Sequence, residues 1–259
     1  MSLSVYQLAL AVVLIGVVLL VSIREGLHLE RDVIVGAART LAQLYAVGLV
    51  LAAVFAQPRW YIVLAVLVVM AAAASHTVVS RLQPRVPGAY AVAALALGLS
   101  TAATLTYVMG VVIRAEPWYA PQYVIPIAGM ILGNAMTSAA LAGDRLHADL
   151  RARTSEVEGM LALGFTGTDA IQPVARTAMR AALIPTIAAM MTVGVVQLPG
   201  MMTGQVLAGA SPLTAIEYQI VVMFMQAAGS AVASLLFVRL AARRYLTPAH
   251  QLRRELLVR

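Results

Sequence analysis

The sequence predicts an all-α, polytopic integral membrane protein of about seven transmembrane helices, with its N-terminus outside and its C-terminus in the cytoplasm. Three observations carry this reading. Of the 259 residues, 61% are hydrophobic and 11% charged, against about 45–50% and about 25% in a soluble domain. The apolar residues fall in runs of roughly 20, the length that crosses ~30 Å of hydrocarbon as a helix. Every one of the 18 basic residues is arginine, and these arginines are distributed unevenly between the runs. A soluble enzyme, a disordered chain and a disulfide scaffold are excluded. With no cysteine, there is no thiol nucleophile and no cysteine-type zinc site.

The runs are 4–23, 33–56, 60–79, 89–113, 123–142, 180–197 and 213–240. Helix is the state that satisfies backbone groups within lipid, and the alternation a membrane barrel needs is absent. The first ten residues carry no positive charge, unlike the basic start of a cleavable signal peptide, so 4–23 reads as a retained span. With the N-terminus outside, sixteen arginines lie in inner segments, and only Arg59 and Arg114 lie in outer ones. Positive residues on the cytoplasmic side set orientation. The net charge of +7 therefore needs no nucleic acid to explain it.

The whole chain, 1–259, reads as one transmembrane domain whose longest non-spanning stretch, about 143–179, is a cytoplasmic loop. Within that loop, 155–163 has a helical pattern: Val157, Met160, Leu161 and Leu163 are apolar, Glu156 and Glu158 polar. Thr154 or Ser155 is placed to cap it, and Gly164 to end it. Thr168 is placed to cap the next helix, with Asp169 favourable in its first turn. Such a short amphipathic helix lies at the membrane interface, connects spans in solvent, or docks a cytoplasmic partner.

Polar residues inside spans are costly, on the order of 2.5–3.5 kcal/mol for a central charge, and so are informative. Arg39 and Gln43 lie one turn apart on the second span; Arg39 either snorkels to the inner surface or lines a route. His76 fits an interhelical hydrogen bond. The fifth span is the most polar, with Asn134 and Thr137 beside Gly129-x-x-x-Gly133, a spacing that permits close helix approach. Asn134 either bonds to a neighbouring helix or lines a substrate route. The segment 198–205, LPGMMTGQ, is too apolar for an exterior loop and too rich in Gly and Pro for a straight helix. It predicts a re-entrant or broken element bordering a cavity.

Gly129-Met130-x-x-Gly133-Asn134 and Gly200-Met201-x-x-Gly204-Gln205 share one pattern, which suggests two facing parts of an outer gate. Glu217 lies near the outer start of the last span, as an interfacial carboxylate or a point where a cation enters. Met201 and Met202, like Met190 and Met191, offer thioethers to soft metals or adaptable apolar packing. No carboxylate and histidine cluster marks a metal site, so the metal ligands are unknown.

Catalytic signatures are missing. A Gly-rich phosphate loop ending in Lys cannot occur without lysine; no H-E-x-x-H and no G-x-S-x-G is present. If ATP drives the protein, a second polypeptide hydrolyses it.

The stretches Arg39–Leu44 (RTLAQL), Gly129–Met136 (GMILGNAM), Leu198–Gln205 (LPGMMTGQ) and Tyr218–Phe224 (YQIVVMF) resemble the FetB-type permease family. Its members are membrane subunits of bacterial ABC transporters linked to iron export, with relatives in plant aluminium tolerance. The resemblance runs from the second span to the C-terminal tail. It implies an inner-membrane permease that is not itself an enzyme and carries no cofactor. ATP and Mg would be bound by a separate cytoplasmic ABC ATPase, and two permeases would pair. It favours the docking reading of 155–163, with Glu156, Glu158 and Gly164 as coupling residues on an E-x-x-x-x-x-G loop. In this chain Gly159 and Met160 replace the loop's two alanines. It leaves the cargo open, because bacterial members are tied to iron and metal homeostasis and plant relatives to a nucleotide sugar. The expected route or gate comprises Asn134, Thr137, Met201, Met202, Gln205 and Glu217, with Arg39 and Gln43 as further members. The alternative is a self-sufficient secondary transporter or channel for a small polar solute; the broken segment suits that class as well.

Overall fold

The computed structural model describes residues 5–82, 88–247 and 249–257, all helical apart from short turns and two isolated bridges. Ser4, the expected start of the first span, and Arg85 and Arg259 of the inner arginine count lie outside the described residues. In chain order the helices are α1 (Val5–Glu25), α2 (Glu30–Ala56), α3 (Trp60–Arg81), α4 (Ala89–Tyr107), α5 (Pro121–Ala152), α6 (Thr154–Ala162), α7 (Gly167–Thr192), α8 (Gly200–Leu207) and α9 (Pro212–Arg244). A π turn, Val108–Ile113, continues α4, and a 3₁₀ turn, Arg254–Leu256, follows α9.

Among the described residues, α2, α3, α4 with its π turn, α5 and α9 are long and apolar enough to cross a membrane. Each coincides with an expected span. The expected sixth span, 180–197, is the later part of a different element. Its helix, α7, starts thirteen residues earlier, ends at Thr192, and carries Arg176, Arg180, Pro173 and Pro185. It falls outside the five, as does α1.

The chain divides into two compact units, residues 1–57 and 58–259. In the first, α1 and α2 form a hairpin. Ser22 Oγ donates to Glu30 Oε1 at 2.7 Å and accepts from the Leu29 amide at 3.1 Å, so the turn satisfies its own polar groups. Most apolar side chains of this hairpin, Leu14, Leu44 and Leu49 among them, are exposed. They suit a lipid solvent, which carries no penalty for apolar surface.

The second unit is a bundle around α5, which packs against α3, α4, α7 and α9. Its core is built from small residues (Ala93, Ala96, Ala135, Ala139, Ala142, Ala178 and Ala233) with Phe237 and Leu97 filling between them. Small residues let backbones approach where lipid supplies no hydrophobic drive. A Cβ on Gly143 would sit 2.6 Å from Leu82 Cδ2 and 2.8 Å from Phe237 Cε1, and one on Gly229 would sit 2.9 Å from Ile131 Cγ2. These two glycines mark the close approaches. The pair expected to do so does not act together: Gly129 meets Met70 Cε at 3.2 Å, but Gly133 has open space.

Candidate functional site

At 32 residues, α5 is about 48 Å long at 1.5 Å per residue, longer than ~30 Å of hydrocarbon. Its C-terminal turns lead into α6 through one residue, Arg153. The expected cap at Thr154 is not made. Thr154 Oγ1 instead donates back to the carbonyls of Leu150 (2.9 Å) and Arg151 (3.0 Å), because α5 runs up to Ala152 and presents those acceptors. Gly164, at φ +88°, ends the elbow as expected, in the left-handed conformation glycine adopts freely. Thr166, not Thr168, caps α7: the Asp169 amide donates to Thr166 Oγ1 at 3.3 Å and Thr166 Oγ1 donates to Asp169 Oδ2 at 2.6 Å.

On α6, Val157 is buried, and Met160 and Leu161 pack on the core. Glu156 faces solvent, held by Arg153 at 2.8 and 2.5 Å, and this partner lowers its carboxyl pKa. Glu158 is paired through both oxygens with the Arg254 guanidinium, which holds its carboxyl below the usual range. Leu163, one of the four apolar residues of the 155–163 pattern, projects outward because the helix stops at Ala162. It is 80% exposed, with Phe165 beside it in sequence at 50%. An apolar tip on a polar elbow therefore stands free.

The C-terminal tail, which the sequence reading did not single out, folds against this elbow. Tyr245 Oη lies 3.1 Å from His147 Nδ1. The Gly167 amide donates to His250 Nδ1 at 3.1 Å, and Leu246 bridges Leu252. A Cβ on Gly167 would lie 2.7 Å from Leu246 Cδ1. Tyr245 is 2% exposed, and burial pushes its phenol pKa up to about 12.

The expected route residues take separate places. Segment 199–210 resolves into α8, eight residues long, too short to cross, and it packs on α9. Met202 joins Met190, Leu198, Gln219, Met223 and Phe224 around a cavity of about 550 Å³. Gln219 is buried and its Oε1 has no partner, and Gln205 Oε1 on α8 is likewise unpartnered. Met201 is half-buried and Glu217 exposed; neither lines this cavity. On α5, Asn134 Nδ2 donates to Met130 O and Thr137 Oγ1 to Gly133 O, both at 3.1 Å within their own helix. The helices that carry the two echoing motifs, α5 and α8, both pack on α9. Arg39 and Gln43 are exposed on α2, in the other unit. Gln219 follows Glu217 by two residues on the last span, but its burial against the cavity is decided by the packing of α9 and was not legible in the sequence. Among the described residues, no group of three or more His, Asp or Glu side chains could hold a metal ion.

A family profile described as "Uncharacterised protein family (UPF0014)" matches residues 5–246. The chain belongs to the UPF0014 family. It is 42% identical over 228 residues to a UPF0014 membrane protein of Synechocystis, covering 88% of each. It is 34% identical over 246 residues to the probable iron export permease protein FetB of Escherichia coli, covering 95% of this chain and 93% of that one. It is 38% identical over 245 residues to the protein ALUMINUM SENSITIVE 3 of Arabidopsis thaliana, covering 94% and 87%. No solved structure matches it. The family resemblance drawn from the RTLAQL, GMILGNAM and LPGMMTGQ stretches is thereby established, and the chain is a multi-pass membrane protein of a family with named permeases.

Proposed function

We propose that this chain is the permease subunit of an ABC exporter for iron or a related metal ion in a bacterial inner membrane. It would act as a homodimer driven by a separate ATPase. The observation that carries the reading is the 34% identity to FetB across 95% of the chain. Five apolar helices supply most of the spans, and α1 and α7 complete seven, with the N-terminus outside and the elbow cytoplasmic. In that topology the arginine-rich ends of α5 and α9 face the cytoplasm.

The elbow has the form such a task requires. With one residue between α5 and α6, and Thr154 bonded back to α5, a displacement of α6 is carried into the 32-residue helix at the centre of the bundle. The exposed Leu163 and Phe165 are the apolar anchors a partner's groove would take, with Glu156 and Arg153 on its polar rim. ATP and Mg belong to the partner. The thioether and amide cavity around Met202 and Gln219 suits weak, transient coordination along a route, which export needs in preference to tight binding.

The test is co-expression with a P-loop ATPase encoded beside this chain. The pair should co-purify, and vesicles holding both should move iron on addition of ATP. Export by this chain alone on an ion gradient, with no ATPase bound, would instead establish a secondary transporter.

A further inference from the structure

One end of the second unit carries an excess of positive charge with no protein counter-ion. Arg243 and Arg244 close α9, and Arg253 comes from the tail. Together with Thr168, Thr247 and His250 they line a cavity of about 390 Å³. The start of α7 lies there as well, through Thr168. A Cβ on Gly88, the residue just before α4, would lie 3.5 Å from Arg244 Cζ, so the start of α4 adjoins it. Helix N-termini add roughly half a positive charge each. Among the described residues the ion pairs are Arg145–Asp149, Arg153–Glu156 and Arg254–Glu158. Arg243, Arg244 and Arg253 take part in none. Glu255, the acid nearest Arg253 in sequence, is exposed and takes part in none of these pairs; Asp169 accepts from Thr166 and Glu158 is held by Arg254.

A second cavity of about 470 Å³ adjoins the first and shares Thr168, Arg243 and Leu246 with it. It runs between α7 and α9 over Ile171, Ala175, Met179, Val238 and Ala242, with Gln172, Arg176 and Arg239 as polar members of the same lining. No carboxylate lines either cavity. A guanidinium cluster matches phosphate through paired, charge-assisted hydrogen bonds, and the apolar residues of the groove, Ile171, Ala175, Met179, Val238 and Ala242, match a hydrocarbon chain. We propose that Arg243, Arg244 and Arg253 bind the phosphate headgroup of an anionic membrane phospholipid, one acyl chain of which lies in the groove between α7 and α9. A free phosphate would satisfy the mouth and leave the groove unused, so the shared walls of the two cavities favour the lipid.

The full chain, purified in mild detergent, is titrated with phosphatidylglycerol, phosphatidylcholine or inorganic phosphate. Retained lipid is read by native mass spectrometry and the melting midpoint is followed in parallel. Phosphatidylglycerol should be retained in preference to phosphatidylcholine. Arg243→Gln and Arg253→Gln should each weaken its retention by roughly fivefold, as expected for a basic residue beside an anionic lipid. Arg114→Gln, on a residue that lines neither cavity, should change nothing. Ala242→Trp fills the groove. It should abolish phosphatidylglycerol retention while leaving the midpoint shift caused by inorganic phosphate intact. Equal retention of the two lipids overturns the proposal, as does undiminished phosphatidylglycerol retention in both arginine variants. A response to inorganic phosphate without selective lipid retention would make the mouth a soluble-anion site and also overturn it.

Discussion

Arg254 of the C-terminal tail closes a two-pronged ion pair on Glu158 of the elbow helix, 96 residues earlier in the chain. The contact ties the tail to the same short helix whose apolar tip stands free. Because Arg254 is mostly exposed, solvent screens the pair and its contribution to global stability is small. Its effect is local.

Breaking the pair should therefore loosen the tail without unfolding the bundle. In Glu158→Gln, hydrogen exchange in residues 250–257 should quicken several-fold, with the melting midpoint little changed. The charge-swapped double variant, Glu158→Arg with Arg254→Glu, should restore protection. Acid should act in the same direction. Arg254 lowers the Glu158 carboxyl from its ordinary 4.5, so the pair's contribution is complete above that value and is lost as pH falls through the lower folded value. Tail protection in Glu158→Gln equal to that of the parent would show that the pair does not hold the tail.

Tyr245 makes the buried counterpart of that exposed link. Tyr245→Phe removes the hydroxyl 3.1 Å from His147 Nδ1 and leaves a buried ring nitrogen without its partner, at a cost of about 1–3 kcal/mol. Denaturant unfolding in detergent should show the loss. With its pKa at about 12, this phenol should also stay largely out of an ultraviolet titration up to pH 11.

Two glycines on α5 should respond in opposite ways to the same change. Gly143→Ala drives a methyl against Leu82 and Phe237, and overpacking of this kind costs about 1–3 kcal/mol. Gly133→Ala meets no atom within 4 Å. It should be neutral or slightly stabilising, since alanine is the better helix former by up to ~1 kcal/mol. Thermal midpoints of the two variants in one detergent separate these expectations.

The contrast also shows which parts of the architecture the sequence exposes. Runs of apolar residues place α2, α3, α4, α9 and the start of α5 within a few residues, because lipid demands both length and hydropathy; α5 runs ten residues past its apolar run, to Ala152. Glycine spacing did not identify the close approaches, because a motif names a compatible face and only the neighbouring helix decides whether it is used. The start of α7 was legible by period: Ile171, Val174, Ala178 and Ala182 are buried at spacings of three and four, while Arg176 and Arg180 face out. The expected cap at Thr168 set the helix start two residues late, and hydropathy started the membrane span only at Arg180. Its cap was legible too, since Thr166 followed three residues later by Asp169 has the form of a capping box. The tail had no local signal. Its partners lie 83 to 98 residues away, and its few apolar residues have no periodicity.

The docking reading depends on which apolar residues of the elbow face outward, and that distinction yields its sharpest test. Val157 is 1% exposed and Leu163 80%. Val157→Asp buries a charge in the core and should prevent folding or insertion, which would say nothing about a partner. Leu163→Asp and Phe165→Asp place charges where there is already solvent, so the permease should insert and melt as the parent does. If the two side chains fill a groove on the ATPase, each substitution sets a charge in an apolar pocket and should weaken co-purification by tenfold or more, a loss of about 1.4 kcal/mol or greater. ATP-driven transport should fall with it. Glu156→Gln, on the polar rim, should cost far less, in keeping with the small worth of exposed ion pairs. Full retention of the ATPase by the Leu163→Asp, Phe165→Asp double variant would remove the elbow tip from the interface.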